Sequence, residues 1–196
     1  MKKIGVLVSG GGTNLQALID AQNSGIIKSG KIVCVVSNKP GVYALERAEK
    51  AGIKACVISK KDYNTPQDFD EAIAKYMLDM GVDVIVMAGF LAIVGEKLLD
   101  AYKDRIINIH PSLIPSFCGE GFYGLKVHEK ALEYGVKVTG ATVHFVNEIP
   151  DGGKIIAQKA VYIEDGDTPE TLQKRVMEQA EWIILPEAVE MVCANL

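Results

Sequence analysis

Short apolar runs of strand length alternate along the chain with segments of helical period, and this alternation limits the fold more than any other feature. Ile4-Gly5-Val6-Leu7-Val8, the run from Lys31 to Ser37, the run from Lys54 to Ile58 and Val82-Asp83-Val84-Ile85-Val86-Met87-Ala88 read as parallel strands buried on both faces. A helix starts at Leu15 after the first run, and another runs from Tyr43 to a stop at Gly52. A third, from Pro66 to Met80, places Phe69, Ile73, Tyr76, Met77 and Met80 on one face. Strands alternating with helices predict an α/β fold, a doubly wound and mostly parallel sheet, with the 82–88 run, the most apolar, at its centre. Ligands of such sheets bind at the carboxyl ends of the strands.

The second half reads differently. After a short helix at Leu98-Leu99 and a strand at Ile106, the loop from Ser116 to Tyr123 carries glycines and aromatics. It is a candidate lid, with a plain surface excursion as the alternative. Val127–Tyr134 reads as a short helix. Val138–Val146 and Lys154–Val161 alternate as strands, and the Asp151-Gly152-Gly153 turn between them predicts an antiparallel hairpin. A helix runs from Pro169 to the C-terminus, and Pro186 should kink it or divide it. No linker or repeat interrupts the chain, so one domain spanning 1–196 is expected.

Two stretches carry chemistry. Ser9-Gly10-Gly11-Gly12-Thr13-Asn14 joins a strand to a helix start, where glycines let backbone amides approach an anion and the helix terminus adds partial positive charge. The dinucleotide fingerprint would need glycine at Leu15, and the P-loop lysine is absent, so a single phosphate fits best. A tight turn capped by Thr13 or Asn14 is the alternative. In Asn108-Ile109-His110-Pro111, strand alternation puts Asn108 and His110 on the same face. Pro111 keeps His110 extended, so an amide and an imidazole project together from a strand end.

The formal charge of -4 gives no basic surface for nucleic acid. No apolar run reaches membrane-span length. Met1-Lys2-Lys3 enters a strand at once without a signal-peptide pattern, and Cys34, Cys56, Cys118 and Cys193 are scattered. A cytoplasmic protein with reduced thiols is expected. His110, His128 and His144 are the only histidines and show no ligand spacing, so no metal is expected.

The run from Asn108 to Pro115, followed by Val143-His144-Phe145-Val146 and Asp151-Gly152-Gly153, resembles the formyltransferase family that uses 10-formyltetrahydrofolate, over essentially the whole chain. The opening Ser9-Gly10-Gly11-Gly12-Thr13-Asn14-Leu15-Gln16 is similar to the branch that formylates glycinamide ribonucleotide in purine synthesis. The resemblance implies a catalytic trio of Asn108, His110 and Asp151. It implies substrate binding by Gly12, Thr13, Asn14 and Glu181. It implies a folate site at Leu91, Ala92, Ile93, Val94, Asn108, Val146 and Asn147, continuing to Asp151, and a cis peptide at Ile114-Pro115. Residues 1–105 would form a phosphate-binding half and 106–196 a catalytic and folate-binding half. The implied partners are small molecules, with 10-formyltetrahydrofolate as formyl donor, and the protein would be a monomer or homodimer.

The chain departs from familiar members at Ala92, where many carry arginine, at Pro66, near a basic contact to the folate tail, and in a longer loop from Cys118 to Lys126. Lys60 and Lys61 are candidate replacements for the missing charge. Within the same family, an enzyme acting on methionyl-tRNA or one hydrolysing formyl-folate would carry an added domain that this length does not accommodate. Outside it, a non-catalytic nucleotide-phosphate sensor would use the glycine turn but leave Asn108, His110 and Asp151 unexplained.

Overall fold

The computed structural model describes residues 1–196. Its strands are β1 (Lys2–Val8), β2 (Gly30–Ser37), β3 (Lys54–Val57), β4 (Val84–Met87), β5 (Ile106–His110), β6 (Val138–Phe145) and β7 (Ile155–Tyr162). They form one sheet in the order β3-β2-β1-β4-β5-β6-β7, which puts the apolar β4 at its centre as expected. Pairings from β3 through β5 are parallel. β6 runs antiparallel to β5, and β7 antiparallel to β6. Strand order reverses between β1 and β4, so their carboxyl ends flank the crevice where a ligand fits.

The helices are α1 (Thr13–Ser24), α2 (Tyr43–Lys50), α3 (Pro66–Asp79), α4 (Glu96–Ala101), α5 (Leu125–Tyr134), α6 (Pro169–Val176) and α7 (Trp182–Asn195). A cluster of 29 buried residues joins α1, α2, α6 and α7 to one face of the sheet. A smaller cluster of 15 joins α3 and α4 to the other. Apolar burial on both faces is what the continuous strand runs require. No helix is long and apolar enough to cross a membrane.

Several boundaries differ from the sequence reading. β3 and β4 are shorter than the apolar runs that mark them, and α5 begins at Leu125 rather than Val127. The C-terminal helix divides at a π-helical turn, Met177–Glu181, and not at Pro186, which lies inside α7. Pro186 offers no N–H to the carbonyl one turn back and its ring crowds that carbonyl. The wider turn sits just upstream, where the backbone takes up the mismatch.

Candidate active site

The glycine turn after β1 opens α1 without a side-chain cap. Gly12 is the N-cap residue, in the left-handed conformation (φ 73°), and no side chain bonds the first amides. Thr13 and Asn14 lie inside the helix, so the expected alternative of a cap by either one is not what forms. A Cβ on Gly12 would lie 2.7 Å from Cβ of Ala44, which adds a steric demand for glycine to the conformational one. Gly10 and Gly11 face open space. The uncapped N–H groups of α1 are therefore free for an anion. Arg47 supports the turn from beneath, donating from Nε to the Gly11 carbonyl at 2.8 Å.

Asn108 and His110 leave β5 on one face, and β6 brings His144 opposite Asn108 and Thr142 opposite His110. Asn108 Nδ2 lies 3.2 Å from Nε2 of His144. Nδ1 of His144 lies 2.8 Å from the Phe145 carbonyl, which only accepts, so Nδ1 carries the hydrogen and Nε2 accepts from the Asn108 amide. The second amide hydrogen of Asn108 stays free. The turn after β6 returns Asp151 to this cluster: its carboxylate oxygens lie 3.5 Å from Nδ1 of His110 and 3.5 Å from Nε2 of His144. Gly153 makes that return possible, since a side chain there would overlap the Phe145 carbonyl.

The loop after β5 closes over the cluster. It begins with the cis Ile114-Pro115 bond that the family resemblance implies. Nε2 of His110 donates to the Phe117 carbonyl at 2.9 Å, and the Gly119 amide donates to Asp151 Oδ2 at 2.9 Å. Phe117 and Asp151 are two of the three non-glycine residues with positive φ, at 48° and 55°. Backbone in this sparsely populated region gathers where surrounding contacts over-determine it. The Phe117 ring packs against Phe122 and Tyr134, which holds the loop in place.

A cavity of about 310 Å³ runs from this cluster in two directions. One end is largely apolar, lined by Leu91 to Val94, Val146, Asn147 and Ile149. Ser9 accepts a hydrogen bond from the Leu91 amide at 2.8 Å. Asp70 accepts from the amides of Gly95 and Leu98, standing in for a cap on α4. These contacts hold the segment against the strand ends. The other end is polar, with Asn14 and Glu181, joined by Asn14 Nδ2 to Glu181 Oε2 at 2.7 Å. Every residue expected around the folate lines the cavity, and so do Asn108, His110, Asp151, Asn14 and Glu181. Gly12 and Thr13 do not; Thr13 borders a separate cleft with Arg47 and Trp182.

A carboxylate beside an imidazole favours the protonated ring. Burial of the His110 ring outweighs the attraction of Asp151 and the hydrogen bond to Phe117, and the pKa is held below its ordinary value. Burial pushes Asp151 upward, but the nearby His144 and His110 rings and the donating Gly119 amide together hold it below the usual carboxylate range. Its resting partner is thus a neutral His110, with the hydrogen on Nε2 and the Nδ1 lone pair toward the carboxylate. Burial pushes Glu181 up to about 7 against the opposing Asn14 hydrogen bond. The fully buried His128, whose ring nitrogens have no partner, is pushed down to about 4 by burial and by nearby His110.

The sequence reading assigned no site role to His144, Phe117, Gly119, His128, Gln173 or Met177. The position of His144 directly across from Asn108 was in principle available from strand alternation once the β5–β6 pairing was known. The contacts of Phe117 and Gly119 are through the backbone and leave no side-chain signal. Gln173 in α6 and Met177 at the start of the π-helical turn also line the cavity.

The sequence model described as formyl transferase matches residues 2–189. Phosphoribosylglycinamide formyltransferase of Haemophilus influenzae is 43% identical over 97% of this chain and 86% of its own length. The trifunctional purine biosynthetic protein adenosine-3 of Gallus gallus is 45% identical over 98% of this chain, which spans only 18% of that larger protein. The crystal structure of glycinamide ribonucleotide transformylase 1 from Symbiobacterium toebii superposes with a TM-score of 0.94, at 42% identity, over 100% of this chain and 89% of that one. Matching from β1 into α7 in sequence, and over the whole sheet in space, the chain belongs to the formyl transferase family.

Proposed function

We propose that the chain transfers a formyl group from 10-formyltetrahydrofolate to the primary amine of N1-(5-phospho-D-ribosyl)glycinamide, giving formylglycinamide ribonucleotide and tetrahydrofolate in purine synthesis. The observation that carries this reading is the meeting of Asn108, His110 and Asp151 midway along a cavity with one apolar and one polar end. The apolar end fits a flat pterin at Leu91–Val94 and at the turn from Val146. The polar end fits a phosphorylated ribose, with Glu181 and Asn14 toward its hydroxyls and the amides of Gly12, Thr13 and Asn14 toward its phosphate. On this reading residues 1–105 supply the phosphate turn and part of the folate wall, and 106–196 supply the catalytic groups. The four free cysteines fit the cytoplasmic enzyme this implies.

The acceptor amine attacks the formyl carbon, and the carbonyl oxygen becomes an oxyanion. The free amide hydrogen of Asn108 donates to it, and the His144 ring holds that amide in the donating orientation. Asp151, ionised and held by the Gly119 amide, takes the proton lost by the amine, directly or through water, and passes it to Nδ1 of His110. The imidazolium so formed, paired with Asp151, places positive charge beside the oxyanion. When the bond from the formyl carbon to folate N10 breaks, N10 receives that proton and the balance closes. A histidine held neutral at rest is ready to accept at this moment.

The test is incubation with 10-formyltetrahydrofolate and the phosphoribosylglycinamide acceptor, following tetrahydrofolate and the formylated product together. Stoichiometric appearance of both is expected. Formate release without acceptor formylation would establish a hydrolase instead.

A further inference from the structure

Residues directly opposite on antiparallel strands share a face of the sheet, and the β5–β6–β7 register places His110, Thr142 and Gln158 in one row. The row starts at the imidazole of the site and ends on the open edge of the sheet. Its middle member, Thr142, is fully buried, and the bonding capacity of its hydroxyl is used up. Thr142 Oγ1 donates to the Ser112 carbonyl at 2.7 Å. It accepts from the Ile114 amide at 3.1 Å and from Gln158 Nε2 at 3.0 Å. Gln158 Nε2 donates its second hydrogen to the Ile114 carbonyl at 3.0 Å. Both backbone polar groups of Ile114 are therefore held by this row.

The turn so held leads back to His110. Ser112 Oγ donates to the Ser116 carbonyl at 2.6 Å, and the Ser116 amide donates to the Leu113 carbonyl at 2.9 Å, which makes residues 112–116 one bonded unit. The next carbonyl, that of Phe117, takes the Nε2 hydrogen of His110 at 2.9 Å. The tautomer of a neutral imidazole is set by the partners its two nitrogens find. We propose that Gln158 is a positioning residue for His110. Gripping Ile114 and Thr142 from the sheet edge, it seats the 112–117 turn so that the Phe117 carbonyl keeps the hydrogen on Nε2 and leaves the Nδ1 lone pair toward Asp151. Gln158 touches no reacting atom. Its link to His110 stands on contacts of the free protein, and its effect on rate rests on the function proposed above.

Heteronuclear NMR of the imidazole nitrogens, above neutral pH and without substrates, reads the tautomer directly. Wild-type His110 should carry its hydrogen on Nε2. Gln158→Leu and Gln158→Glu lack the donor, and Gln158 is exposed, so both variants should fold. Each should show a measurable share of the Nδ1–H form. Their kcat for formyl transfer should fall about ten-fold, with both KM values within about two-fold of wild type. Thr142→Val should behave in the same way and Thr142→Ser should recover most of the loss. Gln158→Leu combined with Thr142→Val should lose little more than either alone, because both remove one network. A Gln158→Leu protein that keeps the wild-type tautomer would overturn the inference at any rate of turnover. A fall in kcat matched by rises in both KM values would overturn it too, since general loosening of the sheet edge gives that pattern. A tautomer change in the variants of a protein that transfers no formyl group would overturn the proposed reaction and leave the link from Gln158 to His110 standing.

Discussion

Nδ1 of His110 lies 3.5 Å from Oδ2 of Asp151, while the other ring nitrogen is held by the Phe117 carbonyl at 2.9 Å. The loop carbonyl fixes the tautomer, and the tautomer leaves a lone pair facing a carboxylate. That pairing is unfavourable while both groups keep their resting charge and becomes an ion pair once a proton arrives at Nδ1. Its place in the proposed reaction is proton transfer.

Asp151→Asn keeps the size of the side chain and removes its basicity. Turnover in the formyl-transfer assay should fall about 10²–10³-fold, the scale of losing one acid–base or oxyanion group. Acceptor affinity by calorimetry should change little, because Asn14 and Glu181 are untouched. A variant with near-wild-type turnover would remove Asp151 from the chemistry.

His144→Phe removes the acceptor that orients the Asn108 amide. The rate constant kcat should drop at least about ten-fold, with both KM values within about two-fold. His144→Gln, which offers a carbonyl to the same amide, should recover part of the loss. A drop in affinity with no change in kcat would contradict a positioning role.

Glu181→Gln should stabilise the free protein at high pH. The folded-state value near 7 lies above the ordinary 4.5, so folding keeps a proton that the unfolded chain gives up. Stability is present below pH 4.5 and is lost as pH rises through 7, by on the order of 3 kcal/mol. Urea unfolding at pH 8 should show the variant more stable than wild type, with little difference at pH 4. The same variant should bind the acceptor more weakly.

His128 gives the opposite slope. Its folded-state value near 4 lies below the ordinary 6.5, so stability is intact above pH 6.5 and falls as acid drives a proton onto the buried ring. Unfolding curves between pH 7 and 4 should lose part of this acid dependence in His128→Leu. At pH 7 that variant should be no less stable than wild type, since the ring nitrogens have no partner to lose.

Gly11→Ala and Gly12→Ala separate ligand approach from folding. A methyl on Gly11 meets nothing, so stability should hold while acceptor KM rises through crowding of the phosphate. Gly12→Ala combines a left-handed φ with a clash against Ala44, and should cost about 1–3 kcal/mol in a chemical denaturation measurement. Equal stability of the two variants would argue against the turn described here.

The strand–helix alternation from β1 to β4 was legible because each element carries its own period and its own stops. Gly12, Gly52 and Gly81 punctuate it, and Pro66 opens α3 with Thr65 and Asp68 as a capping box. The Asn108/His110 pair was legible for the same local reason, the two-residue repeat of a strand. The division before α7 was anticipated at the wrong residue. Pro186 announces a defect in helical bonding, but where the backbone takes up the strain depends on packing upstream.

By itself the sequence determined the order of elements, the strand ends that carry chemistry and the glycine turn that suits phosphate, because these follow from local periodicity and backbone sterics. Only the tertiary structure decided that Asp151 comes within 3.5 Å of two imidazoles, that His110 rests neutral and that Gln173 joins the cavity wall. Those outcomes depend on burial and on contacts between segments far apart in the chain. Dehydrating a ring weakens its affinity for a proton by an amount that no local pattern records.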